Sequence, residues 1–175
     1  MKEIRADYDD QSIVVYQAYS PAIADPALEA QRFVPPFKMT RMTWIKPSFL
    51  WMMYRCGYAT KEGQERVLAI RITREGFDWA VDNAVSSRIP GKPQVRVQWD
   101  PERGLNHEAL PIRSIQIGLT GEAAHRYVRD WTVSITDVTD LAREIHAKVR
   151  AQDLEGAREL LPPERPYGTS TTQNA

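Results

Sequence analysis

Apolar and polar positions alternate with a period of two over VRVQW, placing Val95, Val97 and Trp99 on one face of a strand and Arg96 and Gln98 on the other. SIQIGL repeats the pattern, and TVSITDVT predicts one more strand. RVLAIRIT reads as a strand carrying Val67, Leu68, Ala69, Ile70 and Ile72. Near the start, EIRADY and SIVVYQAY are two β-rich runs separated by DDQ, the pattern of a hairpin turning at Asp9 and Asp10.

The helical signals lie between these runs. SPAIADPALEAQRF predicts one or two short turns, with Pro26 breaking any continuous helix, and VPPF follows as a rigid turn. Pro47 suits the first position of a helix and Gly57 its left-handed stop. REGFDWAVDNAV places Phe77, Ala80, Val81 and Ala84 on one face, and SRIPGKP is a loop. TGEAAHRYVRDW opens a helix behind a Thr cap, and TDLAREIHAKVRAQDLEGARELL is helical with a break near Gly156. PPERPYGTSTTQNA lacks the apolar content to fold, so residues 1–161 are expected to form one domain and 162–175 a disordered tail. Strands and helices are mixed without regular alternation. That order predicts an α+β domain with a mainly antiparallel, twisted sheet and flanking helices, not a doubly wound parallel sheet.

With 175 residues, 42% hydrophobic and 26% charged, the chain has the composition of a soluble globular domain with one core. No apolar run approaches the ~20 residues that cross a bilayer, so no membrane partner is expected. MKEIRADYDD resembles neither a secretory signal nor a mitochondrial presequence, and a cytoplasmic location is expected. The single cysteine, Cys56, excludes an internal disulfide and a thiolate zinc site.

Zero net charge argues against a generally basic nucleic-acid binder, but the charge is unevenly spread. Residues 1–30 carry six acids and two bases, whereas 31–60 carry five bases and no acid. Within that block KMTRMTWIKPSFLWMMYRCG, Lys38 to Gly57, sets four cations among two tryptophans and four methionines. A helical wheel from Pro47 gathers Phe49, Met52, Met53 and Cys56 on an inner side and aligns Ser48, Trp51 and Arg55 on the other. Lys46 stands before the first turn, where free N–H groups and the positive dipole end favour an anion. Lys38 and Arg41 can reach further phosphates, and Trp51 or Trp44 can stack on a ring attached to the anion. The same spacing also fits plain core packing, with each cation paired to a carboxylate.

For proton transfer the candidates are Asp100 and Glu102 in QWDPERG, although a Pro-containing turn accounts for that stretch as well. Arg5, Tyr16 and Gln17 on the hairpin, and Arg113 and Gln116 in PIRSIQIGL, offer a further polar face. His107, His125 and His146 are far apart in sequence and none has a partner at metal-ligand spacing, so no metal site is expected. There is no Gly-x-Ser-x-Gly, Walker or Gly-x-Gly-x-x-Gly motif.

EIRADYDDQSIVVYQAY, the long block RFVPPFKMTRMTWIKPSFLWMMYRCGYATKEGQERVLAIRITREGFDWAV, VRVQWDPER and RSIQIGL together resemble the bacterial and fungal family known as domain of unknown function 4291. The likeness runs from about Glu3 to about Ile145, and the chain is shorter than typical members between Asn83 and Val95. The resemblance implies a small single-domain cytosolic protein and no established activity. It also implies hallmark positions at Arg5, Tyr16, Gln17, Lys38, Arg41, Trp44, Lys46, Ser48, Trp51, Arg55, Gln98, Asp100 and Arg113.

These residues point to an enzyme of the transferase type acting on a nucleotide or nucleic-acid end, with a nucleotide as the ligand or cofactor. Lys46, Arg41 and Arg55 would bind phosphate, and Asp100 or Glu102 would move the proton. Nucleotidyl transfer through Lys46 and ADP-ribosyl transfer are the two chemistries in view. KPSF lacks the Lys-x-Asp-Gly pattern of ligases, and RSIQIGL lacks the glutamate motif of ADP-ribosyl transferases. A non-catalytic module that recognises RNA, DNA or an acidic partner through segment 38–55 is the alternative.

Overall fold

Ile13 to Tyr16 form a continuous apolar run because the strand that holds them is covered on both faces. In the computed structural model, which describes residues 1–169, Ile13 and Val15 enter one hydrophobic core while Val14 and Tyr16 enter a second. The elements follow in the order β1 (Arg5–Ala6), β2 (Ser12–Tyr19), α1 (Pro21–Ala30), β3 (Thr43–Ile45), α2 (Phe49–Cys56), β4 (Arg66–Thr73), α3 (Arg74–Asn83) and β5 (Val85–Ser86). Then come β6 (Val95–Arg103), β7 (Ala109–Leu119), α4 (Gly121–Arg126), a π-helical turn over Tyr127–Trp131, β8 (Thr132–Asp137), α5 (Thr139–Arg150), α6 (Leu154–Leu160) and β9 (Arg165–Pro166).

The fold is α+β, as the mixed order of elements predicts. One sheet has the order β2-β4-β8 and a second β3-β7-β6-β5; among the strand pairs of the described residues only β5–β6 is parallel. The first core contains Leu68, Ile70 and Ile72 of β4, Ile115, Ile117 and Leu119 of β7, and Phe77 and Ala80 of α3. The second lies on the other face of β2 and β4, beneath Phe49, Met52 and Met53 of α2, Ala142 and Ile145 of α5, and Ala157 of α6. Among the described residues no helix is long and apolar enough to cross a membrane.

Several local expectations are corrected. Asp9 does make the turn: its Oδ1 accepts from the Gln11 and Ser12 amides at 2.9 and 2.8 Å, and a Tyr8–Ile13 bridge closes it. The first strand, however, pairs with β9 rather than continuing along β2. Pro26 sits inside a continuous α1, where it removes one intrahelical bond without ending the helix. α2 starts at Phe49 behind Ser48, whose Oγ accepts from Trp51 N at 3.1 Å; a hydroxyl cap outcompetes the proline signal one residue earlier. The C-terminal helical break falls between Arg150 and Leu154, with Gln152 at φ 62°, while Gly156 lies within α6 behind an Asp153 cap. DPER is strand, not turn, and the irregularity between Pro101 and Arg103 absorbs the proline.

The expected tail is also overturned over residues 162–169. Arg165 and Pro166 pair with β1, and the Tyr167 amide donates to the Ile4 carbonyl at 2.8 Å. Tyr167 is buried, with Arg74 Nε donating to its hydroxyl at 3.2 Å and the hydroxyl donating to Asp78. The rest of that segment, 170–175, lies outside the described residues.

Candidate functional site

The short strand β3 ties the two sheets together. On one side Trp44 stands opposite Gly118 and Ile45 opposite Ile117 of β7; just past its end, Tyr16 N of β2 donates to the Lys46 carbonyl at 2.8 Å. A cavity of about 890 Å³ lies at this junction, walled by the end of β2, the segment 36–46, α2, the 62–64 loop, and the polar face of β6 and β7. That volume falls within the ~300–1,000 Å³ typical of small-molecule sites.

The structure brings Lys38, Arg41, Lys46 and Arg55 to this one cavity, together with Trp44, Trp51, Gln17, Gln98 and Asp100. Lys38, Arg41 and Arg55 are exposed, and among the described residues none of them makes an ion pair or donates a side-chain hydrogen bond. Unpaired cations around a concavity keep their full field for an incoming anion.

Lys46 differs from these three. Its residue is 7% exposed, and its Nζ donates to the Trp44 carbonyl at 2.9 Å and lies 5.9 Å from the centroid of the Trp51 ring. Burial, reinforced by the Arg55 charge and opposed by Cys56, pulls its pKa down to about 7. The expectation of a solvent-facing lysine ahead of a free helix end is therefore corrected. The N-terminus of α2 is already occupied, because Phe49 N donates to Glu164 Oε2 at 2.9 Å and Trp51 N to Ser48 Oγ.

Trp44 crosses the sheet over a residue without a side chain. A Cβ on Gly118 would meet the Trp44 ring at 3.0 Å and Met42 Sδ at 2.6 Å, so the glycine makes room for both. Trp51 is buried in the adjacent wall, and its Nε1 has no partner among the described residues. Gln17 is fixed by three hydroxyls: its Nε2 donates to Tyr19 Oη at 2.8 Å and Thr43 Oγ1 at 2.6 Å, and its Oε1 accepts from Tyr127 Oη at 2.5 Å.

On the opposite wall Gln98 and Gln116 are cross-strand partners, and Asp100 shares their face because it lies two residues beyond Gln98. Asp100 Oδ1 accepts from Gln98 Nε2 at 3.1 Å and Oδ2 from Gln116 Nε2 at 2.8 Å. Both amides orient the carboxylate and leave it further acceptor capacity for a ligand hydroxyl, amine or proton.

Five of the sequence candidates lie elsewhere. Tyr16 is in the second core against Phe49. Ser48 Oγ donates to Glu102 Oε1 at 2.9 Å, and the same oxygen accepts from Arg103 N, so Glu102 serves the α2 cap rather than the cavity. Arg5 donates to the Glu164 carbonyl at 3.1 Å and lines a separate cleft of about 200 Å³ with Glu164 and Phe49. Arg113 is exposed and donates to the Trp99 carbonyl at 3.2 Å. Conversely, Tyr19, Phe37, Thr43 and Glu62 line the cavity without having been singled out, and Gln116 proves to belong to it. The histidines are not all apart in space: His107 and His146 flank Tyr58, with ring centroids 5.1 and 4.7 Å away. Among the described residues no three His, Cys, Asp or Glu side chains gather as a metal-holding group.

Fold and cavity define a single-domain α+β protein with a cationic, tryptophan-lined pocket at the seam of two sheets. The family model described as Domain of unknown function (DUF4291) matches residues 3–167, and the chain belongs to that family. The match continues past Ile145 and takes in the C-terminal strand β9. No curated protein and no solved structure matches the chain.

Proposed function

We propose that the cavity binds the phosphates and the attached ring of a nucleotide, and that the protein is a transferase acting on a nucleotide or nucleic-acid end. The observation that carries this reading is the convergence of Lys38, Arg41, Lys46 and Arg55 on one concave space with no salt bridge among the described residues. Guanidinium groups form forked, charge-assisted bonds to phosphate oxygens, and the half-buried ring of Trp44, which lines the same space, suits a flat ring. Asp100, held between two carboxamides, is the group placed to take a proton from a substrate hydroxyl; Glu102 is withdrawn from that role by its cap contacts.

A thermal-shift screen of nucleoside mono-, di- and triphosphates, their nucleosides and short oligonucleotides tests the reading. Ligand at 100 times its dissociation constant adds about 2.7 kcal/mol of stability. Stabilisation by phosphorylated ligands and not by bare nucleosides is the expected result. No stabilisation by any phosphorylated ligand at millimolar concentration would overturn it.

A further inference from the structure

Lys46 is placed unlike the other cations of the cavity. Lys38, Arg41 and Arg55 are exposed, as a group that holds phosphate by charge should be, whereas Lys46 is buried and still lines the same space. A lysine that served only as a phosphate anchor would gain nothing from being stripped of water beside another cation. Both features instead favour the neutral amine, and they are the two ways in which a lysine is made nucleophilic. The direction of its titration, down to about 7, agrees with this placement.

Its contacts set the amine's orientation. Nζ makes one hydrogen bond among the described residues, to the Trp44 carbonyl at 2.9 Å, and has no carboxylate within ion-pair distance. A neutral amine that donates one N–H to a carbonyl keeps its lone pair for another direction. Arg55 lines the same cavity, so a phosphate drawn to that guanidinium enters the space that Lys46 also lines.

We propose that Lys46 is a covalent nucleophile that accepts the nucleotidyl group of a nucleoside 5′-triphosphate. This rests on the nucleotide reading of the same cavity. The lone pair of Nζ attacks the α-phosphorus and a P–N bond forms. The bond from that phosphorus to its bridging oxygen breaks, and the electron pair leaves with pyrophosphate. The extra proton on nitrogen passes to water, leaving a neutral phosphoramidate nitrogen. In the second half an acceptor hydroxyl, deprotonated at Asp100, attacks the same phosphorus, the P–N bond breaks, and the departing amine takes up a proton to restore Lys46. No oxidant or reductant is needed. The Trp51 ring lies beside the lysine and would shield the adduct from hydrolysis by water.

The experiment is covalent labelling of the full chain with each of four nucleoside triphosphates, carrying the label on the α- or the γ-phosphate, in the presence of magnesium. Peptide mass spectrometry locates the adduct, and calorimetric titration with the same compounds runs in parallel. Label from the α- and not the γ-position, resistant to alkali and released by acid as a phosphoramidate should be, mapped to Lys46 and absent from Lys46→Arg, is the expected result. Mapping on the native chain makes the test independent of whether that variant folds. Triphosphates that bind while no label is incorporated would overturn the covalent step and leave the nucleotide site standing. So would γ-label incorporation, or an adduct on another residue. If no triphosphate binds at all, the nucleotide reading and the covalent step fall together.

Discussion

Lys46 Nζ stands 5.9 Å from the centre of the Trp51 ring, in a wall where that tryptophan is 7% exposed and its Nε1 lacks a partner among the described residues. The ring is therefore both packing and cavity surface. Trp51→Ala should lower stability by ~3–5 kcal/mol, the range for emptying a buried aromatic site. Trp51→Phe keeps a ring face beside Lys46 and should recover most of the loss. Urea unfolding of the two variants checks this, and equal losses would mean that the ring does not fill the wall.

Burial of Lys46 ties stability to pH. Its folded pKa of about 7 lies below the ordinary lysine value of 10.5, so between those limits the unfolded chain holds more protons than the folded one. Stability should accordingly rise with pH across this window, by up to about 1.4 kcal/mol per unit, and this contribution should be flat below it. Burial sets the shift, Arg55 on α2 adds to it and Cys56 opposes it, and Asp100 and Glu62 line the same cavity. Lys46→Met should lack the rise. Denaturation midpoints of both proteins from pH 6 to 10 provide the check, and parallel curves would contradict it. Label incorporation at Lys46 should likewise increase tenfold per unit up to about pH 7 and then level off.

Gly118 should matter for binding although it offers no group to a ligand. In Gly118→Ala the new Cβ requires the Trp44 ring, at 3.0 Å, and Met42 Sδ, at 2.6 Å, to move. Nucleotide affinity should fall several-fold while the cations of the cavity stay in place. Titration of the variant with a triphosphate and with inorganic tripolyphosphate separates the two parts, since only the ring-bearing ligand should weaken.

How much of this was legible in the sequence differs from residue to residue. The cations and tryptophans of segment 38–55 can be read because they lie within 18 residues of one another, on a loop, the short strand β3 and a helix. The far wall could not be assembled in this way. The sequence offers Gln98 and Asp100 only as separate polar positions, because their meeting with Gln116 depends on the β6–β7 register, which local pattern does not fix. The burial of Lys46 is not legible because the Tyr16–Lys46 bridge, which draws that residue inward, joins β2 to the residue just past β3, in a different sheet. The C-terminal strand has little local signal because its main apolar anchor is Tyr167 and its partner β1 lies at the other end of the chain. Helix starts erred by a residue or two where proline and serine signals adjoin, as at Pro47 and Ser48.

Glu164 couples that C-terminal segment to α2. Burial first, and the nearby Glu102 and Asp7 charges after it, raise its carboxyl to about 8 against the opposing Phe49 amide and Arg5. A carboxyl raised from 4.5 binds more protons folded than unfolded between those values, so its contribution to stability should fall as pH rises from about 4.5 to 8. Glu164→Gln retains an oxygen for Phe49 N and should remove that decline. Hydrogen exchange at the Tyr167 amide, measured at pH 6 and 8.5 and corrected for intrinsic rates, should show looser protection at the higher pH in the native protein only. Equal protection at both pH values would contradict the coupling.

The central claim is that exposed arginines, without an ion pair among the described residues, turn the cavity into a phosphate site, and calorimetric titration of Arg41→Gln and Arg55→Gln with a nucleoside triphosphate tests it most directly. Losing a charge-assisted bond worth about 1.5–3 kcal/mol should weaken binding by roughly 10- to 100-fold in each variant, while Arg88→Gln, an exposed residue that does not line the cavity, should bind as the native chain does. Unchanged affinity in both cavity variants would contradict the account.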